Sequence, residues 1–370
     1  MSVLTSPAFD GHEAVHAFFE SASGFRGFIA IHSTARGPAA GGCRLWPYPS
    51  EQAAVDDALE LSRAMSFKNA VADLELGGGK AVIIGDAGAK TPALFEALGA
   101  AVERLGGAYW SAEDVGISPA DLGHARRRTR FVAGLEGAGP AASGDPSPIT
   151  AEGVFRGLTL CARRALGRDV GGLHVAIQGV GHVGAGLAAR LAGAGARLTV
   201  CDISSAASKR VAAETGADVV APEAIFDVPA DVFAPCALGG AISADTLGRI
   251  SAKVIAGGAN NQLASPGVGE ALFAAGKTYA PDFVINGGGI INIAAEIRAL
   301  AAGGAYDRKW VEAKLSRLMA TLEEVLDRSA AERRPTHELA LEIARERIGA
   351  AARARGGAWP SWKPSASPAA

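Results

Sequence analysis

The chain has 370 residues, a length that suits two domains better than one. Apolar residues make up 49% and charged residues 20%, so a large core can be built and disorder is not the default. A formal net charge of −2 argues against nucleic acid or an anionic membrane as the main partner.

The four cysteines (Cys43, Cys161, Cys201, Cys236) are far apart and form no CxxC pair. They read as reduced thiols, with no disulfide framework and no metal site. No apolar run is long enough to span a bilayer. The opening MSVLTSPAFDGHEA lacks the basic-then-apolar pattern of a signal peptide, so a cytoplasmic protein is expected. Arginine outnumbers lysine 27 to 9, and asparagine occurs five times. Arginine is thus the generic surface cation. A Lys or Asn inside an apolar, Gly-rich segment is less easily dismissed as filler.

In chain order, residues 25–33 (FRGFIAIHS) read as a strand and Ser50 to about Met65 as a helix, with apolar residues at helical spacing. Residues 80–85 read as a buried strand. Thr91–Leu105 is a helix with Pro92 in its first turn. Residues 106–120 pass through a short strand into a loop. The Gly/Pro/Ser stretch 137–148 is the best candidate for a domain boundary. A helix follows at about 151–166. Strands are then expected near 173–178, 197–202, 217–220, 231–234, 252–257 and 280–285, with helices between several of them. That alternation implies a doubly wound parallel sheet. A helical segment at 307–353 closes the chain, and the Pro/Ser/Ala-rich tail 356–370 is expected to be loose.

Within LHVAIQGVGHVG, Gly179, Gly181 and Gly184 form GxGxxG directly after an apolar strand and at the start of a helix. A second strand ends at Asp202. In this context the motif is a full dinucleotide fingerprint, with Val180, His182 and Val183 inside it and Ala237 assigned to the same site. Gly179 permits the tight turn, Gly181 lets the backbone approach the pyrophosphate, and Gly184 allows close helix–strand packing. The helix N-terminus favours the phosphate charge. Asp202 would accept hydrogen bonds from the adenosine ribose and repel a 2′-phosphate, so the expected cofactor is NAD.

Two Gly-rich segments of the first half carry candidate chemistry: GPAAGGCRLW (37–46) and FKNAVADLELGGGKAV (67–82). Lys80 follows three glycines and enters an apolar strand. A partly desolvated lysine there suits a general base. On spacing alone, Lys80 reads equally well as a snorkelling strand-end lysine. Lys68 reads equally well as a cation at a helix C-terminus. Asp114, in YWSAEDVGI, reads equally well as an ordinary turn aspartate.

GPAAGGCR, FKNA, GGGKAVI and SAEDVG, followed by GDPSPIT, the fingerprint and GGANNQL, resemble the glutamate/leucine/phenylalanine/valine dehydrogenase family over about residues 25–300. The resemblance implies reversible, NAD-dependent oxidative deamination of an amino acid to a 2-oxo acid and ammonia. It makes Lys80 the catalytic lysine, Asp114 the proton shuttle at the amino nitrogen, and Lys68 the anchor of the α-carboxylate. It places Gly41 and Gly42 along the substrate, and Thr150, Asn260 and Asn261 by the nicotinamide and substrate. The expected fold is α/β, with an N-terminal α/β substrate domain (1–148, joined by part of the C-terminal helical segment at about 331–355). A Rossmann-type, doubly wound NAD-binding domain (149–330) follows, and the active site is expected in the cleft between the two. A homo-oligomer is implied, with no metal and no partner beyond small molecules.

Substrate choice follows from two positions. Glutamate-using members carry a lysine directly before the GG of GG-x-R, and here that position is Ala40. They also place a serine where this chain has Ile293. A glutamate side chain would be buried without a partner. The pocket, with Ile290 on its wall, is expected to take leucine, valine, isoleucine or phenylalanine, the leucine/phenylalanine branch of the family. Ala40 leaves room for a ring, and Ala112 leans toward leucine. Two alternatives are glutamate dehydrogenase, opposed by Ala40 and Ile293, and a catalytically silent NAD-binding sensor, opposed by the joint retention of Lys68, Lys80 and Asp114.

Overall fold

A computed structural model describes residues 3–135 and 139–356. The chain divides into two compact units. One comprises the residues up to Asp145, Asn292–Val311 and those from Ala344 on; the other comprises Pro146–Ile291 and Glu312–Ile343.

The first unit contains β1 (Ala14–Glu20), β2 (Phe25–Ser33), β3 (Ala39–Trp46), α1 (Glu51–Val71), β4 (Gly77–Ile84), α2 (Pro92–Arg104), β5 (Tyr109–Glu113) and α3 (Pro119–Ala125). Its five-stranded sheet has the order β1-β2-β4-β3-β5. β1 and β2 form an antiparallel hairpin and β2 pairs antiparallel with β4, whereas β4, β3 and β5 run parallel. Ser50 caps α1 by accepting the Ala53 N–H. One face of α1, through Ala54, Val55, Ala58 and Leu59, packs on Ala30 and Val82 of the sheet. The helix runs to Val71, past the expected end near Met65, because Ser66, Phe67 and Asn69–Val71 continue that buried face. β1 and β3 are strands that the pattern did not predict. The two adjacent glycines of β3 are depleted in strands generally, and they mask it.

The second unit contains α4 (Ser147–Leu166), β6 (His174–Gln178), α5 (His182–Gly193), β7 (Arg197–Cys201), α6 (Ser205–Thr215), β8 (Asp218–Val219), β9 (Val232–Pro235), α7 (Ala244–Leu247), β10 (Val254–Ile255), α8 (Pro266–Ala274), β11 (Thr278–Tyr279) and α9 (Asp282–Ile285). The strands form a six-stranded sheet, β11-β10-β9-β6-β7-β8, in which every pair is parallel. This is the doubly wound arrangement. The strand order reverses between β6 and β9, and the crevice at such a switch point is where ligands bind in open α/β sheets. Phe233, Ile242, Ile255 and Leu272 belong to its core.

The remaining helices are α10 (Gly288–Ala302), α11 (Arg308–Glu332) and α12 (Thr336–Ala354). The expected strand at 280–285 is corrected: pairing stops at Tyr279, and Asp282–Ile285 form a helical turn. Pro281 lacks the N–H that a continuing ladder needs, which ends the strand there. The single helical segment expected at 307–353 is two helices. They break at Arg333, whose φ is 55°, just before Pro335. All four cysteines are unpaired. No described helix is long and apolar enough to cross a membrane. The expectation of a loose tail at 356–370 concerns residues that, beyond Gly356, lie outside the described part.

Candidate active site

The parallel run β4-β3-β5 brings three charged side chains together. Cys43 of β3 pairs with Ala81 on one side and Glu113 on the other. The neighbours of these three residues are Arg44, Lys80 and Asp114. Lys80 is 5% exposed, and its Nζ lies 2.8 Å from Oδ2 of Asp114. Nε of Arg44 donates to the same oxygen at 2.9 Å. Burial raises the Asp114 pKa, but the charges and hydrogen bonds of Lys80 and Arg44 outweigh it. The carboxyl therefore titrates below the ordinary aspartate value. Arg44 also donates through Nη1 to Asp57 at 3.0 and 3.2 Å, and the Tyr48 hydroxyl donates to Asp57 at 2.5 Å.

Gly41 and Gly42 sit where the β3–β4 pairing is interrupted. The Tyr109 hydroxyl bridges the gap: it accepts from Ala81 N at 3.1 Å and donates toward the carbonyls of Gly41 and Gly42 at 3.0 and 3.1 Å. A Cβ on Gly42 would lie 2.8 Å from Cβ of Asp114, so only glycine lets the aspartate approach the strand this closely. Ala40 is buried and pairs with Gly78 and Trp110. Lys68 lies in the last turn of α1. Its neighbour Asn69 donates through Nδ2 to the carbonyl of Gly77, the first residue of β4, at 2.5 Å. That bond ties the lysine-bearing end of α1 to the strand that carries Lys80.

In the second unit the fingerprint follows β6. Gly179 has φ 88°, and a Cβ there would meet Ala237 at 2.8 Å. A Cβ on Gly184 would meet the Gly179 carbonyl at 2.0 Å, whereas a Cβ on Gly181 would meet nothing within 4 Å. That room on the side-chain side of Gly181, beside the N-terminus of α5, which no side chain caps, fits the approach of a pyrophosphate. His182 and Val183 begin α5. Asp202 follows β7; its Oδ2 accepts from Val180 N and its Oδ1 from Ser204 N, both at 2.8 Å. The acid is therefore held by the turn it serves. These residues fit a dinucleotide.

Thr150 lies on α4, and its hydroxyl donates to Pro146 O at 3.0 Å. Asn260 accepts from Asn286 Nδ2 at 2.8 Å. Asn261 adopts φ 50°, and its carbonyl accepts from Gly240 N at 2.7 Å. On α10, Ile290 is half-buried and Ile293 is buried. Arg44, Tyr109 and Asn286 are the supports that motif reading passed over. Two of them carried a signal: Asn286 through the scarcity of asparagine, and Arg44 as a charge inside GGCRLW.

A doubly wound sheet with this fingerprint, in a chain that also carries a buried lysine–carboxylate pair, defines a dinucleotide-dependent dehydrogenase. Residues 13–131 match the Glu/Leu/Phe/Val dehydrogenase dimerisation domain, and residues 201–356 match Glutamate/Leucine/Phenylalanine/Valine dehydrogenase. A leucine dehydrogenase of Thermoactinomyces intermedius is 44% identical over 330 residues, 88% of each chain. A phenylalanine dehydrogenase of Bacillus thermotolerans is 39% identical over 352 residues, 93% of this chain and 89% of that one. The crystal structure of an L-tryptophan dehydrogenase from Nostoc punctiforme superposes with a TM-score of 0.81 at 36% identity, covering 92% of this chain and 97% of that one. The chain belongs to the glutamate/leucine/phenylalanine/valine dehydrogenase family. It is an amino acid dehydrogenase.

Proposed function

We propose that the chain oxidatively deaminates an L-amino acid with an apolar side chain, with NAD as hydride acceptor. The observation that carries this reading is the 2.8 Å pair of the buried Lys80 with Asp114, in a chain of this family whose position 40 is alanine. In the proposed domain assignment, residues 1–148 with a C-terminal return bind the substrate and residues 149–330 bind the dinucleotide. A homo-oligomer is supported by the matched dimerisation domain.

The cofactor, when bound, takes the α-hydrogen as hydride, and the protein does the rest. Lys68 pairs with the α-carboxylate and fixes the α-carbon in place. Asp114 takes a proton from the α-ammonium, so that loss of hydride leaves an iminium on the substrate. Lys80, once it has released to solvent the proton it carries at rest, takes a proton from the water that attacks the iminium carbon. Asp114 returns its proton to the nitrogen and, as the carbon–nitrogen bond breaks, takes the proton of the new hydroxyl, so that ammonia leaves and the 2-oxo acid remains. Thr150, Asn260 and Asn261 line the reacting end, with Asn286 bracing Asn260. The segment from Gly179 to Gly184 with Ala237 holds the pyrophosphate, and Asp202 holds the ribose.

In this assignment Ala40 and Ile293 meet the substrate side chain, and neither carries a charge or a hydroxyl. A γ-carboxylate would be buried there without a partner, which favours an apolar substrate. The test is NADH formation, followed by absorbance, across a panel of amino acids. Leucine, valine, isoleucine or phenylalanine should be oxidised at least about a hundredfold faster than glutamate in kcat/KM, consistent with rejection by an unpaired buried charge. A preference for glutamate would overturn the reading.

A further inference from the structure

The carboxylate of Asp114 is used unequally. Oδ2 meets two cations, Nζ of Lys80 at 2.8 Å and Nε of Arg44 at 2.9 Å. No hydrogen bond from the described residues reaches Oδ1. The Asp114 side chain is a quarter exposed.

Arg44 is itself held from behind. Its Nη1 reaches both oxygens of Asp57, and Oδ2 of Asp57 also accepts from the Tyr48 hydroxyl. Arg44 and Asp57 are each 23% exposed, partly withdrawn from water. An ammonium is a compact point charge and lets a carboxylate rotate around it. A planar guanidinium with one edge committed to Asp57 does not, because Nε can reach Asp114 from one direction only.

We propose that Arg44 is a positioning residue of the reaction: it pins Oδ2 of Asp114 jointly with Lys80 and thereby reserves Oδ1 for proton exchange with the substrate nitrogen. Asp57 and Tyr48 hold the guanidinium in that pose. This rests on the role given to Asp114 above. Without Arg44 the carboxylate keeps its partner Lys80 but swings about it, and either oxygen can face the substrate. Misplacing a reacting group by about an ångström costs on the order of a hundredfold in rate.

The experiment is a double-mutant cycle of Arg44→Lys with Asp114→Asn, read as kcat and KM for leucine, with NADH affinity by fluorescence and the thermal midpoint as folding controls. Arg44→Lys in the wild-type background should lower kcat by at least about tenfold while KM stays within about threefold. In the Asp114→Asn background the same substitution should change kcat by less than about twofold, because nothing remains for Arg44 to position. An equal loss in both backgrounds, or no loss in the first, overturns the proposal. If Arg44→Lys does not fold, Asp57→Asn keeps the guanidinium, removes its brace and should give a smaller loss with the same kcat-only pattern; a loss confined to KM would overturn the proposal. A wild type that oxidises no apolar amino acid, or an Asp114→Asn variant with full turnover, overturns the functional reading itself. An active wild type with additive losses overturns the role of Arg44 alone.

Discussion

Nζ of Lys80 and Oδ2 of Asp114 lie 2.8 Å apart although Lys80 is on β4 and Asp114 directly follows β5, with β3 between those strands. The lysine is 5% exposed, so its ammonium is stabilised chiefly by this one carboxylate. Lys80→Ala should lower turnover by roughly 10²–10⁴, the usual contribution of a positioned acid or base. NADH affinity should be unchanged, since the fingerprint lies in the other unit. Steady-state kinetics and fluorescence titration decide it. Turnover within about tenfold of wild type would remove Lys80 from the chemistry.

Asp202 predicts the cofactor. Its carboxylate is fixed by Val180 N and Ser204 N at the end of β7. A 2′-phosphate brought to that carboxylate is repelled, so NAD should beat NADP by at least about tenfold in kcat/KM, roughly 1.4 kcal/mol. Asp202→Ser should narrow the ratio. Equal efficiency of the wild type with both cofactors would show that the acid serves the turn and not the ribose.

Ala40 and Ile293 predict specificity. Ala40→Lys with Ile293→Ser offers a cation and a hydroxyl to a γ-carboxylate and a buried ammonium to an apolar side chain. The ratio of kcat/KM for glutamate over leucine should rise by at least about tenfold. Ala40 is packed between Gly78 and Trp110, so the thermal midpoint must be followed alongside. A folded variant with an unchanged ratio means that these positions do not touch the substrate side chain.

His32 predicts how stability depends on pH. It is buried on β2, contacts Ser66 Oγ of α1 through Nδ1 at 2.8 Å and meets the His12 ring edge-on at 4.8 Å. Burial lowers its pKa to about 4, the charge that His12 gains on protonation adds to the shift, and Asp10, 4.0 Å away, offsets part of it. The unfolded chain takes up this proton near pH 6.5 and the folded chain does not. Stability is therefore full above about 6.5 and is lost as pH falls toward 4, by up to about 3 kcal/mol. His32→Asn should flatten the dependence of the thermal midpoint between pH 6.5 and 4 without abolishing it, because burial also lowers the His12 pKa. An unaltered slope would assign the acid sensitivity elsewhere.

What the sequence determined by itself is whatever depends on local backbone chemistry. The GxGxxG turn is legible because two of its glycines answer to geometry set within the same strand–turn–helix: Gly179 by its positive φ, Gly184 by the Gly179 carbonyl. Most of the later strands are legible for the same reason. What only the tertiary structure decided is which distant residues meet. Motif order singles out Lys80 and Asp114, but the sheet order β4-β3-β5 makes them partners and sets Arg44 of the intervening strand on the same carboxylate oxygen. The strand β3 escapes a periodicity reading because its two glycines, Gly41 close against the Gly79 carbonyl and Gly42 close against Asp114, carry no side-chain pattern. The pinning of one oxygen of Asp114 and the freeing of the other follow from the register between strands, and one strand's sequence contains no term for that register.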